Sequence, residues 1–198
     1  QLQVPVLATN DPRYCAGTPF ALVLVKAWQT QRAAVQLQQC LAEDGLVLTL
    51  QNGLGNREIL AQHLGPARVA LGSTTTGATL LGPGLAKAGG EGVVSIESND
   101  RLGPLQRALQ RAGFQLDLVP DARALIWGKL VVNSAINPLT AILRVPNGQL
   151  LERPAARRLL HALARETAAV AQAENVQLPT PDPVDLVEAV ARGTATNH

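Results

Sequence analysis

Leu46-Val47-Leu48-Thr49-Leu50-Gln51-Asn52-Gly53-Leu54-Gly55-Asn56 is the stretch that decides the fold. Its first five residues form a continuous β-favouring apolar run, as in a parallel strand covered on both faces. Two glycines then break the run, and a helical pattern continues to about Leu64. Strand, glycine turn and helix make the start of a βαβ unit, and the flanking chain repeats the pattern. Ala21-Leu22-Val23-Leu24-Val25 reads as an earlier buried strand, Thr30 to Ala42 as a helix, and Val69 to Gly72 as a third strand. Val4 to Leu7 is a further short apolar run. Such alternation predicts a parallel sheet with helices on both faces.

Thr74 to Asn99 differs. It is rich in Gly and Thr, with turn signals at Leu81–Gly84 and Gly89–Gly92 and a strand at Val93 to Ile96. That composition predicts antiparallel strands at a sheet edge. A helix over 102–112 and a strand over 115–119 close the α/β part. From Asp121, which suits an N-cap, helix follows helix: 121–136, about 149–175 and about 183–195. Pro146-Asn147-Gly148 and the loop from Pro179 to Pro183 break the pattern. The expected division is an α/β domain over residues 1–119 and an all-α domain over residues 120–198.

At 198 residues the chain holds one large domain or two small ones. Aromatics are only 3% of it, so Leu, Val and Ala must build the core. A net charge of +2 gives no argument for a nucleic-acid partner. Cys15 and Cys40 stand alone without CxxC spacing, which points to neither a disulfide framework nor zinc and fits a reducing, cytoplasmic compartment. His63, His161 and His198 lack metal-ligand spacing and read as surface or cap residues, so no metal is expected. No uninterrupted apolar run reaches about 18 residues and no signal-peptide pattern opens the chain, so no membrane partner is expected. The chain has no Met, starts at Gln1 and stops just after a polar helical stretch. It reads as an internal part of a longer protein.

Two places could carry chemistry. Lys26 follows the first long apolar strand, and Asn52 and Gly53 follow the second. The carboxyl ends of strands in an open parallel sheet line its ligand crevice. The glycines would let a ligand approach the backbone closely, although a strand-to-helix turn needing glycine explains them as well. They are not a dinucleotide fingerprint, because the third glycine and the downstream acid are absent. The other place is Trp127-Gly128-Lys129-Leu130-Val131-Val132-Asn133-Ser134-Ala135-Ile136-Asn137-Pro138. Lys129, Asn133 and Asn137 at i, i+4 and i+8 fall along one helical stripe among apolar neighbours. On a mostly buried helix such groups need partners, since an unpaired buried polar group costs about 1–3 kcal/mol. Either they satisfy one another and nearby carbonyls at a domain interface, or a polar ligand does. A buried lysine has a lowered pKa, which suits proton transfer. Ser73 to Thr76 reads as an anion site or as a β-branched strand, and Arg157-Arg158 as a solvated helix face.

Five motifs in order resemble the ketopantoate reductase (2-dehydropantoate 2-reductase) family. They are Val25-Lys26-Ala27-Trp28-Gln29, Gln51-Asn52-Gly53-Leu54-Gly55, Gly72 to Ala78, Trp127 to Thr140, and Val145-Pro146-Asn147-Gly148. The resemblance spans nearly the whole chain. It implies a Rossmann-type N-terminal domain, a helical C-terminal domain and an active site in the cleft between them. It implies NADPH-dependent reduction of 2-dehydropantoate to (R)-pantoate in pantothenate and coenzyme A synthesis. By the same resemblance Lys129 is the general acid, and Asn133, Asn137 and Asn147 bind the substrate. Asn52 touches substrate and cofactor, while Lys26 and the backbone at Ala78 face the cofactor.

The chain also departs from the family pattern. The family's opening strand, its GxGxxG turn and the Arg for the 2′-phosphate are absent, so both domains are expected to be incomplete. Ala195-Thr196-Asn197 matches the start of a segment that continues in the family to serines and a Glu. Lys87 stands where many members carry a His. The chain alone is therefore expected neither to bind NADPH tightly nor to turn over. The alternatives are a non-catalytic binding protein of the same fold, or a related reductase acting on another 2-keto acid or imine. The partner expected is a small molecule, ketopantoate, and homo-oligomerisation is left open.

Overall fold

The structure is a computed structural model that describes residues 3–90 and 92–197. His198 and Glu91 of the glycine turn lie outside the described residues. The chain divides into two compact units, Gln1–Pro120 and Asp121–His198.

In the first unit β1 (Thr18–Val23), α1 (Thr30–Cys40), β2 (Leu41–Thr49), α2 (Asn56–Leu64) and β3 (Val69–Thr74) follow one another. A hairpin, β4 (Ala78–Gly82) and β5 (Leu85–Ala88), comes next, then β6 (Val93–Glu97), α3 (Gly103–Arg111) and β7 (Gln115–Val119). The described strands form a five-stranded sheet in the order β1-β2-β3-β6-β7 and a separate two-stranded sheet of β4 and β5. β1, β2 and β3 run parallel, as do β6 and β7, but β3 and β6 pair antiparallel.

The run Leu46–Leu50 behaves as its composition requires. Leu46, Leu48 and Leu50 pack with Ala70, Val94, Ile96 and Leu102 on one face. Val47 packs with Val23, Ala34, Leu60, Leu64 and Val69 on the other. Alternate residues thus feed two cores, one under α1 and α2 and one beside α3, which is why the run shows no polar alternation.

Three expectations change here. The sheet is mixed, because the antiparallel β3–β6 pair reverses the strand direction halfway across. The glycine-rich segment does not form its edge: β6 lies inside the sheet and the hairpin stands apart. Ala21–Val25 is not a strand buried on both faces. β1 ends at Val23 and occupies one end of the strand order, so only Val23 is buried while Leu22, Leu24 and Val25 are exposed. Val4 to Leu7 is irregular and exposed.

The second unit is helical: α4 (Arg123–Leu143), α5 (Gln149–Glu152), α6 (Pro154–Ala173) and α7 (Pro183–Gly193). Asp121 Oδ1 accepts from the Arg123 N–H at 2.7 Å at the entrance to α4, but the N-cap position itself falls one residue later than expected, on Ala122. Helix α4 runs through Pro138 and ends at Leu143, seven residues beyond its predicted end at 136. A proline reads as a stop because it removes one backbone bond and crowds the preceding turn. Here Leu139 and Thr140, just past it, are buried, and the packing carries the helix on.

Val131, Ala135 and Leu139 project into a core with Ile136, Leu150, Leu160, Ala164, Val187 and Ala191. By length and composition α4 could cross a membrane. Val131, Ala135, Ile136 and Leu139 are instead buried against residues of α5, α6 and α7, while Ile142 and Leu143 stay exposed.

Candidate active site

In the first unit the strand register sets the geometry. Val23 pairs with Thr49, and Thr49 with Leu71. Lys26, Asn52 and Thr74 therefore each stand three residues past one row, at the carboxyl edge of three adjacent parallel strands. Ala78 opens β4 shortly after β3 and is exposed. The structure thus brings the Lys26 and Asn52 segments to one sheet edge, while Ala78 belongs to the separate hairpin that follows β3. Lys26 and Asn52 are also exposed.

Lys26 precedes a single 3-10 turn, Ala27–Gln29. Its N–H donates to Gln29 Oε1 at 3.2 Å, and its carbonyl accepts from the Gln29 N–H at 2.8 Å. Gly53 and Gly55 have φ of 86° and 85°, the left-handed region that favours glycine, and a Cβ on either would meet nothing within 4 Å. The edge therefore offers a cation, an amide and an open glycine turn, a donor set that suits a polar, anionic nucleotide. The pyrophosphate cradle that the family places on its GxGxxG turn has no counterpart in the sequence.

Beneath these loops lie polar residues that sequence reasoning did not single out. Thr30, Thr49, Gln51 and Asn56 are all buried. Gln51 Nε2 donates to Val25 O and to Thr30 Oγ1, both at 2.8 Å. Thr30 Oγ1 donates to Asn56 Oδ1 at 2.8 Å, and Asn56 Nδ2 to Asn52 O at 3.1 Å. The available signal was a Gln directly after the buried run Leu46–Leu50, where only a partnered side chain can be buried.

In the second unit the stripe faces away from the core. Lys129, Asn133 and Asn137 each precede Val131, Ala135 and Leu139 by two residues, about 200° around the helix. Lys129 and Asn133 are half-buried and Asn137 is exposed, so the stripe is less enclosed than its apolar neighbours suggested. Burial pushes the Lys129 amine below the ordinary lysine range. Gly128 lets the loop at Pro179 come close, since a Cβ there would lie 3.0 Å from Pro179 Cγ. Trp127 is buried with Ala171 and Val176. The Trp-Gly pair thus locks the turn of α4 that presents Lys129.

A concavity of about 490 Å3 at the end of α4 is lined by Asn137, Thr140, Arg144, Val145, Asn147 and Asn197. Two of the predicted substrate amides, Asn137 and Asn147, therefore share one hollow, with Arg144 also on its wall.

Elsewhere in this unit Glu188, buried, accepts from Arg157 at 2.6 and 2.9 Å, lies 2.6 Å from His161 Nε2 and pairs with Arg192. Hydrogen bonding from Arg157 is the main cause that holds its carboxyl down at about 2. Arg157 and His161 on α6 are thus both tied to Glu188 of α7, so His161 is more than the surface or cap residue expected, while the Arg157 side chain stays partly exposed. His63 is half-buried, and its carbonyl accepts from Gln38 Nε2. Lys87 lies exposed on β5.

An α/β unit with its polar residues on the carboxyl edge of parallel strands, followed by a helical unit presenting a lysine and amides, defines a two-unit nucleotide-fold protein. The sequence narrows this further: residues 4–101 match ketopantoate reductase PanE/ApbA, and residues 121–198 match its C-terminal part. The chain belongs to the ketopantoate reductase family. It is 36% identical over 200 residues to a 2-dehydropantoate 2-reductase of Halobacterium salinarum, with 98% of this chain and 65% of that protein aligned. The crystal structure of a PanE/ApbA family ketopantoate reductase from Ralstonia eutropha JMP134 superposes with a TM-score of 0.90 at 32% identity, covering 99% of this chain and 65% of that one. A D-mandelate dehydrogenase in complex with NADH superposes with a TM-score of 0.80 at 25% identity, over 88% of this chain and 60% of that one. The chain thus spans about two-thirds of the length of its relatives.

Proposed function

We propose that the protein reduces 2-dehydropantoate to pantoate with NADPH, as a step of pantothenate synthesis. The observation that carries this reading is the outward stripe of α4, which presents a half-buried lysine with a lowered pKa in line with two amides. When bound, the nicotinamide supplies a hydride to C2 of the keto acid. Lys129 Nζ gives its proton to the ketone oxygen as negative charge develops there, and its own charge favours that oxygen until transfer is complete. Desolvation makes the amine a better acid than a lysine in water, and solvent reprotonates it afterwards.

Asn133, Asn137 and Asn147 hold the hydroxyl and carboxylate of the substrate. Asn147 already spends one amide N–H on Thr194, which leaves its Oδ1 and second N–H for a ligand. Lys26 and Asn52 on the sheet edge and the backbone at Ala78 hold the cofactor. NADPH rather than NADH is the family's preference. D-mandelate dehydrogenase, a fold neighbour with NADH, keeps reduction of another 2-keto acid as the second reading.

The test is to express the full reading frame that contains this chain. Oxidation of NADPH is then followed with ketopantoate, phenylglyoxylate and pyruvate. The proposal expects the highest kcat/KM with ketopantoate. A preference for phenylglyoxylate moves the protein to the second reading, and no oxidation with any of the three refutes both.

A further inference from the structure

Thr30, Gln51 and Asn56 sit on three different elements: the start of α1, the residue pair after β2, and the start of α2. Their relative exposures are 0%, 9% and 4%. The hydrogen bonds among them form a single chain with backbone at both ends. One end is the Val25 carbonyl, held by Gln51 Nε2, directly before Lys26. The other is the carbonyl of Asn52, held by Asn56 Nδ2. Between them Thr30 Oγ1 accepts from Gln51 and donates to Asn56. Thr49 Oγ1 donates to Gln51 Oε1 at 3.0 Å and so satisfies the remaining face of that amide.

A buried polar chain of this kind is stable only when every member is partnered, and it then fixes a unique arrangement. Packing alone would be met by apolar residues of similar size. The two backbone groups that this chain joins belong to the two loops carrying Lys26 and Asn52. Neither loop is held by an extended ladder at that point, because β1 ends at Val23 and β2 at Thr49.

We propose that Thr30, Gln51 and Asn56 are positioning residues. They set the spacing and direction of the Lys26 and Asn52 loops for the nicotinamide nucleotide, without touching it. The inference rests on the function proposed above.

Thr30→Val keeps shape and removes the hydroxyl at the centre of the chain. In the full-length protein, NADPH affinity is read by fluorescence titration, with folding checked by circular dichroism. Loss of one or two such bonds should raise the NADPH Kd and KM about tenfold, and Thr30→Ser should bring both back to about the wild-type values. Asn56→Ala likewise removes two bonds, the one from Thr30 and the one to Asn52 O, and should raise them about as much. A folded Thr30→Val and a folded Asn56→Ala that bind NADPH as wild type does, with only a lower Tm, would show the chain to be structural and overturn the inference. Should Thr30→Val not fold, Asn56→Ala and Gln51→Met decide by the same reading. A wild-type protein that binds no NADPH overturns the functional proposal itself, and this inference with it.

Discussion

Asn147 donates its side-chain N–H to Thr194 Oγ1 at 2.8 Å, tying the Pro-Asn-Gly turn after α4 to the residue that caps the C-terminus of α7. Backbone bonds reinforce the tie: the Asn147 N–H donates to Asn197 O at 2.9 Å and the Gly148 N–H to Ala195 O at 3.1 Å. A Cβ on Gly148 would lie 2.9 Å from Ala195 Cβ and 3.2 Å from its Cα. Gly148→Ala should therefore push the 194–197 segment away and disturb Asn147. We expect a stability loss of about 1–3 kcal/mol, as for overpacked sites, together with a raised KM for ketopantoate. Urea unfolding and steady-state kinetics check the two effects.

Gly72 carries the strand pairing of the first unit. A Cβ there would meet the Ser95 carbonyl oxygen and Leu50 Cδ2, each at 2.7 Å. Because one obstacle is backbone, side-chain movement cannot relieve it. Gly72→Ala should cost about 1–3 kcal/mol and lower the urea midpoint with little change in m. An unchanged midpoint would contradict the β3–β6 pairing.

Glu188 makes stability depend on acid. Its folded carboxyl titrates at about 2 against an ordinary 4.5. A group whose folded pKa is depressed contributes stability above its unfolded pKa and loses it as pH falls through the folded value. Tm should thus drop as pH goes from about 5 towards 2, and Glu188→Gln should show a shallower fall from a lower starting Tm. Thermal melts of both proteins across that range are the check.

Lys129 sets a pH limb of the opposite kind. Reduction needs its ammonium form, and burial lowers its pKa from the ordinary value of 10.5. The kcat/KM for ketopantoate should therefore fall with rising pH, with a midpoint below that value. Lys129→Arg should remove the limb, because a guanidinium stays protonated throughout. A wild-type profile flat to the ordinary lysine pKa would contradict the role.

Much of this was legible in the chain. Leu46 to Leu50 announced a doubly covered strand because no charged residue interrupts it and its one polar residue is the β-favouring Thr49, and both faces of β2 are packed. The i, i+4, i+8 spacing of Lys129, Asn133 and Asn137 announced a stripe, and α4 has one. The sequence did not show that the stripe points away from the core, because Leu130 and Val132 beside it look as apolar as Val131 and Ala135. The β3–β6 reversal was hidden as well, since strand direction depends on how a glycine-rich connection returns. Pro138 misled through its local rule, which the packing of Leu139 and Thr140 overrides. Glu188 and Gln51 went unnoticed because the partners that join them to other elements, Arg157 and Thr30, lie 31 and 21 residues away in the chain.

The central claim is that Lys129 gives up the proton. The most direct measurement is kcat for NADPH oxidation with saturating ketopantoate, in wild type and Lys129→Ala, alongside the NADPH Kd of each. Loss of a positioned general acid predicts a fall in kcat of about 100- to 10,000-fold, with NADPH affinity held within about a factor of two. A folded Lys129→Ala protein that keeps kcat within about threefold of wild type would contradict the account.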